Sequence, residues 1–267
     1  MARIVTVGSH KGGVGKTTTV LNLGHAFSRL GRRVLIVDAD PQGGLALASN
    51  LKARAKAGMA QALRGQVPRE QIVATTRDGL LSVVGAGGDQ NTDILQLEEA
   101  AASGAMGDLL RQLAEGQDLV LIDAPAGVGR YLHGLLLASD GFMGVTAARA
   151  LSVRGLPVLM QAFEAARAEH PELAFEGLLL AMYDVLQQAE ADLRNSLRRQ
   201  MPEGALFKTV IPAVPAMEKA SQKCVPAAML PEAGRVARAY LDLATEITER
   251  QERLRRPAGA DEGEGLF

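Results

Sequence analysis

Seven short apolar runs recur along the chain. They lie near residues 3–7, 33–37, 80–84, 118–122, 142–147, 176–182 and 206–211. Each run is short and continuously apolar, as in a strand that is buried on both faces, and helical patterns lie between the runs. Strands that alternate with helices predict a doubly wound α/β fold, in which a mostly parallel sheet is flanked by helices.

The segments between the runs add detail to this prediction. Residues 44–75 are rich in Ala, Leu and Arg and predict helices, whereas the glycines and polar residues of 85–92 predict a loop. A long helix is predicted from about 232 to 255, because apolar residues recur there on one side. The sequence shows no internal repeat or clear linker, so we expect residues 1–256 to form a single domain. The glycine-rich, acidic tail at 257–267 is expected to be disordered.

The first apolar run leads directly into a glycine-rich loop, Gly8–Thr18, and a helical pattern follows it. A strand, a glycine loop and a helix form the context of a phosphate-binding loop, because successive N–H groups and the helix dipole then meet phosphate oxygens. Lys16 is expected to reach the β- and γ-phosphates, and the Thr17 hydroxyl to ligate Mg²⁺. His10 stands at the usual first glycine, so the plain motif is not met. The variant with a second lysine, Lys11, is met in full.

Carboxylates follow two of the later runs. Asp38 and Asp40 end the run at 33–37, and Asp123 ends the run at 118–122. Because the carboxyl ends of parallel strands form the ligand crevice, these side chains are expected beside the phosphate loop. Asp40 can orient or deprotonate the attacking water, and Asp123 is expected to anchor Mg²⁺, often through water. Loop or capping roles for Asp38 and Asp40 remain an alternative.

Together these motifs resemble the ParA family of deviant-Walker P-loop ATPases, within the ParA/MinD superfamily, over roughly residues 2–250. The motifs that carry the resemblance are Lys11–Thr18, Asp38–Gly43, Leu121–Pro125 and Val210–Pro212. It assigns nucleotide contacts to Lys11, Gly12, Gly13, Val14, Gly15, Lys16, Thr17, Thr18, Asp38, Ile211 and Pro212.

The resemblance also implies a mechanism. ATP would close a sandwich homodimer in which Lys11 crosses to the partner's phosphates and Gly12 sits where the two loops come close. Catalysis would depend on Lys11, Lys16 and Asp40. Mg²⁺ would be held by Thr17 and Asp123. Hydrolysis would be weak until a ParB-like or cargo-adaptor protein stimulates it. ATP-bound dimers would bind nucleoid DNA without sequence preference. They would thereby position a chromosome, plasmid or protein assembly in the cytoplasm.

The DNA-binding surface is where this chain departs from the family. Two arginines that are usual near the Ile-Pro pair are replaced by Ala213 and Ala216. Other basic residues form the predicted phosphate-contacting patch, namely Arg194, Arg198, Arg199, Lys219 and Lys223. The alternative is that they belong to an ordinary solvated surface.

Composition limits the remaining function classes. The 267 residues carry a net charge of −1, so any DNA contact must come from a local patch rather than from an overall basic charge. The one cysteine, Cys224, excludes an intrachain disulfide and an iron–sulfur cluster held by two cysteines of each subunit. The sequence shows no signal peptide and no long apolar span. A MinD-like membrane-cycling ATPase, an ATP-dependent enzyme acting on a small molecule, and a scaffold without hydrolysis remain as alternatives.

Overall fold

Eight strands form one sheet within residues 1–49, 57–87 and 91–255, the ranges that the computed structural model describes. In chain order the strands are β1 (Arg3–Ser9), β2 (Val34–Asp38), β3 (Val73–Thr75), β4 (Leu81–Val84), β5 (Leu119–Ala126), β6 (Gly141–Ala147), β7 (Ala174–Tyr183) and β8 (Leu206–Pro212). Across the sheet they lie in the order β3-β4-β2-β5-β1-β6-β7-β8. All neighbouring pairs are parallel except β3 and β4. The predicted fold class is confirmed, and each of the seven apolar runs is a strand.

Most helices of the described ranges connect these strands, and the last two follow β8. They are α1 (Lys16–Arg29), α2 (Gly44–Ala48), α3 (Met59–Leu63), α4 (Asn91–Ser103), α5 (Ala105–Leu113), α6 (Arg130–Leu137), α7 (Ala150–Val153), α8 (Leu156–Glu169), α9 (Gln188–Gln200), α10 (Ala216–Gln222) and α11 (Gly234–Arg255). Within the described ranges, none of them is long and apolar enough to cross a membrane.

The predictions for residues 44–75, 85–92 and the C-terminal tail need correction or lie partly or wholly outside the described residues. The helical prediction for 44–75 is wrong at its end, where the strand β3 forms, and residues 50–56 lie outside the described ranges. The loop predicted at 85–92 ends too late, because α4 begins at Asn91. Residues 88–90 and the tail from 256 also lie outside the described ranges.

The sheet is buried on both faces. In β2, Leu35 and Val37 belong to the core beneath α4, α5, α6 and α8, whereas Val34 and Ile36 belong to the core beneath α1 and α11. Successive side chains of a strand point to opposite faces, so an unbroken apolar run supplies both cores at once. The polar residues that follow each run are thereby left at the carboxyl edge of the sheet.

The outer edge of β8 is covered by α11. The Glu246 carboxylate accepts hydrogen bonds from the backbone N–H groups of Lys208, at 2.8 Å, and Thr209, at 2.9 Å. Arg250 pairs with Glu246 at 2.6 Å and donates to the Leu206 carbonyl at 3.2 Å. These side chains satisfy backbone groups that an edge strand would otherwise offer to another chain.

Candidate nucleotide-binding site

The strand register brings the predicted carboxylates together. Asp123 on β5 lies opposite Asp38 on β2, and on its other side it lies opposite Val7 on β1. The glycine loop leaves β1 two residues later, after Ser9. The loop and both carboxylates therefore share the carboxyl edge of the sheet, where ligands of parallel α/β folds bind.

Glycine is required at two positions of the loop by the backbone itself. Gly13 has a φ of 71° and Gly15 a φ of 93°, and both values lie in the left-handed region that side chains disfavour. Gly15 is the residue that caps α1, and Lys16 is the first residue of that helix. The Ser9 hydroxyl donates to the Lys11 carbonyl at 2.7 Å and fixes the entry to the loop. The helix N-terminus is thus turned toward the space that phosphates would occupy.

The protomer gives no reason for the glycine at position 12. Its φ lies outside the left-handed region, and a Cβ added there would meet only the Cβ of Ala126, at an ordinary 4.0 Å. The neighbouring Lys11 is exposed, whereas Lys16 is buried with 7% exposure. Lys11 and Gly12 thus form a part of the loop that faces outward.

Asp123 is a fully buried carboxylate, and among the described residues no donor lies in good hydrogen-bond geometry to either of its oxygens, although the Thr17 hydroxyl is close enough to stabilise its charged form. Burial raises the pKa of Asp123 to about 6, although the Thr17 hydroxyl and the Lys16 ammonium act in the opposite direction, and the negative charge of Asp40 adds to the increase. An unpaired carboxylate beside a hydroxyl offers the oxygen ligands that Mg²⁺ prefers. These residues therefore fit a magnesium ion.

The rest of a magnesium shell would have to come from elsewhere. Within the described ranges, no group of three or more His, Cys, Asp or Glu side chains is arranged to hold a metal. Mg²⁺ commonly binds through one or two carboxylates together with substrate phosphates and water. The donor set is thus typical of a metal that arrives with a nucleotide.

Asp38 differs from Asp123 because its carboxylate is engaged by backbone. Its Oδ1 accepts from the N–H of Asp40 at 3.1 Å and its Oδ2 from the N–H of Leu45 at 3.0 Å. Asp40 is half-buried, and its Oδ1 accepts from the N–H of Gln42 at 3.0 Å. Asp38 thus holds the turn that presents Asp40, which is the structural alternative that the sequence left open for it.

Only one residue of the Ile-Pro pair is open to a ligand. Ile211 is 4% exposed and belongs to the core beneath α11. Pro212 is half-buried, lies opposite Tyr183 in the register of β7 and β8, and lines an open groove with Val185 and Arg235. A nucleotide contact at this end of the sheet would therefore involve Pro212.

Arg194 is engaged by the backbone of β8. Its guanidinium donates to the Lys208 carbonyl at 2.5 Å and lies 5.8 Å from the centre of the Tyr183 ring. The side chain is half-buried, and its Nε is buried without a partner. Arg194 thus ties α9 to β7 and β8, and its place in a DNA-binding patch stays a prediction.

The remaining basic candidates form two separate pairs. Arg198 and Arg199 are exposed at the end of α9, which leads to the start of β8, whereas Lys219 and Lys223 follow the end of β8. A seven-residue strand spans roughly 20 Å, so one pair lies near the amino end of β8 and the other near its carboxyl end. Lys219 also pairs with Glu232 at 3.7 Å. The predicted single patch is therefore divided.

Two buried polar atoms near the carboxyl edge have no counterpart in the predicted site. One is Nδ1 of His10 and the other is the hydroxyl of Tyr131, and neither has a hydrogen-bond partner. His10 packs against Gly155, the residue before α8, so closely that a Cβ there would lie 2.2 Å from its Cδ2. The only signal for His10 in the sequence is its place in the loop, and Tyr131 belongs to no motif.

Comparison with known proteins agrees with this geometry. The AAA_31 family model, described as an AAA domain, matches residues 2–175. The chromosome-partitioning ATPase Soj of Thermus thermophilus is 38% identical over 221 residues, which cover 79% of this chain and 81% of that protein.

Solved structures with low sequence identity share the fold. The septum site-determining protein MinD of Pyrococcus horikoshii, solved with Mg-ADP, has a TM-score of 0.75 at 24% identity and covers 97% of this chain and 100% of its own. Cobyrinic acid a,c-diamide synthase of Mycobacterium smegmatis, solved with ADP and magnesium, has a TM-score of 0.77 at 24% identity with the same coverage.

Proposed function

The chain belongs to the ParA/MinD family of P-loop ATPases, and from that premise we propose that its ATP hydrolysis drives the positioning or segregation of a cargo on nucleoid DNA. Its cofactors are ATP and Mg²⁺. The cargo is a chromosome, a plasmid or a protein assembly, and a ParB-like or cargo-adaptor protein stimulates a weak intrinsic activity. The similarity to a chromosome-partitioning ATPase over most of the chain supports this choice.

The observation that carries the proposal is the outward-facing part of the loop. Among the residues that the structure describes, no contact requires glycine at position 12, and the Lys11 side chain is exposed. In a symmetric dimer the same patch faces itself, so two such loops would approach closely where Gly12 leaves room. Each Lys11 would then reach the partner's phosphates. In other P-loop enzymes a cation supplied across an interface raises the hydrolysis rate by about 10³–10⁵.

Within each protomer, the described residues divide the work of hydrolysis. The backbone N–H groups of the glycine loop and the ammonium of Lys16 hold the phosphates. Thr17 and Asp123 would hold Mg²⁺, which neutralises charge that develops on the phosphate oxygens. Asp40, presented by the turn that Asp38 holds, orients the attacking water.

We test the dimer with loop variants. Asp40→Ala should bind ATP without hydrolysing it and should accumulate as a dimer in size-exclusion chromatography with Mg-ATP. Lys11→Ala should still bind ATP but should lose both the ATP-dependent dimer and most of the hydrolysis. Lys16→Ala is the matched control, because it should lose ATP binding itself. A monomeric Asp40→Ala protein at saturating Mg-ATP would remove the main support for the dimer.

The DNA surface is tested by exchanging each pair of cations separately. Arg198→Glu with Arg199→Glu, and Lys219→Glu with Lys223→Glu, should leave ATP binding unchanged. The pair that contacts DNA should weaken binding of a non-specific duplex and reduce its salt dependence, since each phosphate contact releases counterions. If neither pair matters, the DNA surface lies elsewhere. ATP-dependent binding to anionic liposomes in place of DNA would favour the membrane-cycling alternative.

A further inference from the structure

An open groove lies where β8 ends and α11 begins. The residues that line it include the apolar Val185, Val210, Pro212 and Ala239, together with the exposed Arg235 and Arg238. Val185 is 58% exposed, and Leu186, the next residue, is 88% exposed. Single exposed apolar residues are ordinary, but a contiguous apolar patch with a polar rim is typical of a surface that binds another chain.

The loop that carries Val185 and Leu186 is held in place by its own hydrogen bonds. The backbone N–H of Asp184 donates to Oε2 of Glu190 at 2.7 Å, and Oδ1 of Asp184 accepts from the N–H of Leu186 at 3.0 Å. A surface that is fixed before binding loses less conformational entropy when a ligand arrives. The apolar wall of the groove is thus already formed in the free protein.

The charge of the groove favours an acidic ligand. Arg238 pairs with Asp242 on the same helix at 2.8 Å, whereas Arg235 forms no ion pair with any residue that the structure describes. The Arg238 side chain is 77% exposed, and an ion pair that is so exposed contributes little to stability and is readily exchanged. Both guanidinium groups can therefore meet carboxylates beside the apolar floor.

The C-terminal segment of this chain carries that combination of groups. Residues 256–267, which lie outside the described ranges, contain Asp261, Glu262 and Glu264, followed by Leu266 and Phe267. A segment of this composition buries too little apolar surface to fold alone, but it can dock on a surface that is already formed. We propose that this segment runs back along α11 and docks in the groove of its own chain, with its carboxylates at the two arginines and its last two side chains on the apolar floor.

The length of the segment matches this path. α11 runs antiparallel to β8, because its last turns bond the start of that strand. The axial distance from Arg255 back to Arg238 is about 26 Å, and to Arg235 about 30 Å. An extended chain covers about 3.3 Å per residue, so Glu264 can reach about 30 Å from Arg255 and Leu266 about 36 Å. The carboxylates thus come level with the arginines.

Docking within one chain needs only a weak contact. A short tether gives an effective concentration of the order of 1 mM, so a dissociation constant of about 1 mM would keep the segment docked about half of the time. The docked segment would cover Pro212, which is the predicted nucleotide contact at this end of the sheet. Nucleotide and segment would then compete, and the docked fraction would lower the apparent nucleotide affinity. This competition rests on the Pro212 contact, whereas the docking does not.

A tryptophan reporter tests the docking in the full chain. The sequence contains no tryptophan, so Phe267→Trp introduces a single reporter. Without nucleotide, we expect acrylamide to quench it about threefold less than it quenches a free peptide of residues 256–267 with the same substitution, as for a segment that is mostly docked. Arg235→Glu with Arg238→Glu should raise the quenching to that of the peptide. Adding lysines at Asp261, Glu262 and Glu264 to that variant should restore protection.

The matched control is Arg77→Glu with Arg167→Glu, which reverses two exposed arginines beside β3 and on α8 and should leave the quenching unchanged. Quenching as in the free peptide before any arginine is changed, or protection that survives Arg235→Glu with Arg238→Glu, would overturn the docking. Protection that increases with protein concentration would overturn docking within a single chain.

Mg-ADP tests the competition. Saturating Mg-ADP should make the tryptophan accessible to acrylamide. With the arginines intact, lysines at Asp261, Glu262 and Glu264 should tighten Mg-ADP binding about two- to tenfold in calorimetric titrations. A tryptophan that stays protected at saturating Mg-ADP, or an unchanged affinity, would overturn the competition. None of these measurements uses hydrolysis, DNA or a cargo, so their outcome is distinguishable from a failure of the proposed function.

Discussion

Asp123→Asn should stabilise the ligand-free protein at neutral pH. The carboxylate is fully buried, no donor of the described residues lies in good hydrogen-bond geometry to it, and burial raises its pKa from 3.8 to about 6 despite the nearby Thr17 hydroxyl. The unfolded chain therefore loses this proton more readily than the folded chain does. Folding stability falls as pH rises from about 4 to about 6, and the loss is complete above that window. An amide at this position carries no such charge.

The size of the effect follows from the shift in pKa. A change from 3.8 to about 6 is about two units, and each unit corresponds to about 1.4 kcal/mol. The ionised carboxylate thus costs on the order of 3 kcal/mol at pH 8. This is an upper bound for the gain in Asp123→Asn, because a buried amide has a desolvation cost of its own. Below about pH 4 the difference between the two proteins should vanish.

The assay is urea unfolding between pH 4 and pH 8, once with a chelator and once with Mg-ADP. With the chelator, the variant should be more stable than the wild type at pH 8, and the two should converge as pH falls. With Mg-ADP the order should reverse, because the wild type gains a ligand that the variant binds poorly. The charge that weakens the empty protein is then the charge that holds the metal.

A matched variant separates this effect from simple damage to a buried site. Asp38→Asn alters a neighbouring buried carboxylate that accepts two backbone hydrogen bonds. It should lower stability by about 1–3 kcal/mol at pH 8, since an amide can replace only one of those acceptors. If Asp123→Asn behaves in the same way, with a loss that does not depend on pH, the reasoning about Asp123 is refuted.

Two further predictions concern contacts that the motifs do not show. Gly155→Ala should lower ATP affinity at least tenfold, because its Cβ would lie 2.2 Å from Cδ2 of His10 and would displace the phosphate loop. Adding His10→Gly should restore ATP binding in calorimetric titrations. A Gly155→Ala protein with normal ATP affinity would show that this contact is unimportant. Glu246→Gln should lower thermal stability and promote association that does not depend on ATP, because one carboxylate oxygen that accepts from β8 and the ion pair with Arg250 are both lost. An unchanged melting temperature and unchanged light scattering would count against the protection of β8 by Glu246.

The sequence predicts the buried strands well because each of them is a continuous apolar run. β3 escapes prediction because Val73–Thr75 is short, lies at the edge of the sheet and is only partly buried, so it has no such run. The juxtaposition of the glycine loop with Asp38 and Asp123 is also predictable, because neighbouring parallel strands bring their carboxyl ends to one edge.

What the sequence does not predict depends on packing between distant segments. Helical spacing places Arg194 and Arg198 on one face of α9, but only the tertiary structure shows that Arg194 bonds the Lys208 carbonyl. The contact of His10 with Gly155 joins residues 145 positions apart, and the unpaired hydroxyl of Tyr131 is a property of its surroundings.

Both edges of the sheet limit how this protein can associate. On one side β3 offers only three residues for pairing, and on the other side Glu246 and Arg250 occupy the backbone groups of β8. Strand addition, which is slow to reverse once a ladder has formed, is thereby discouraged at both edges. In the function that we propose, association at the phosphate loops would depend instead on a bound nucleotide and would end when the nucleotide is hydrolysed. Repeated cycles of assembly would then return the protomer to the same starting state each time.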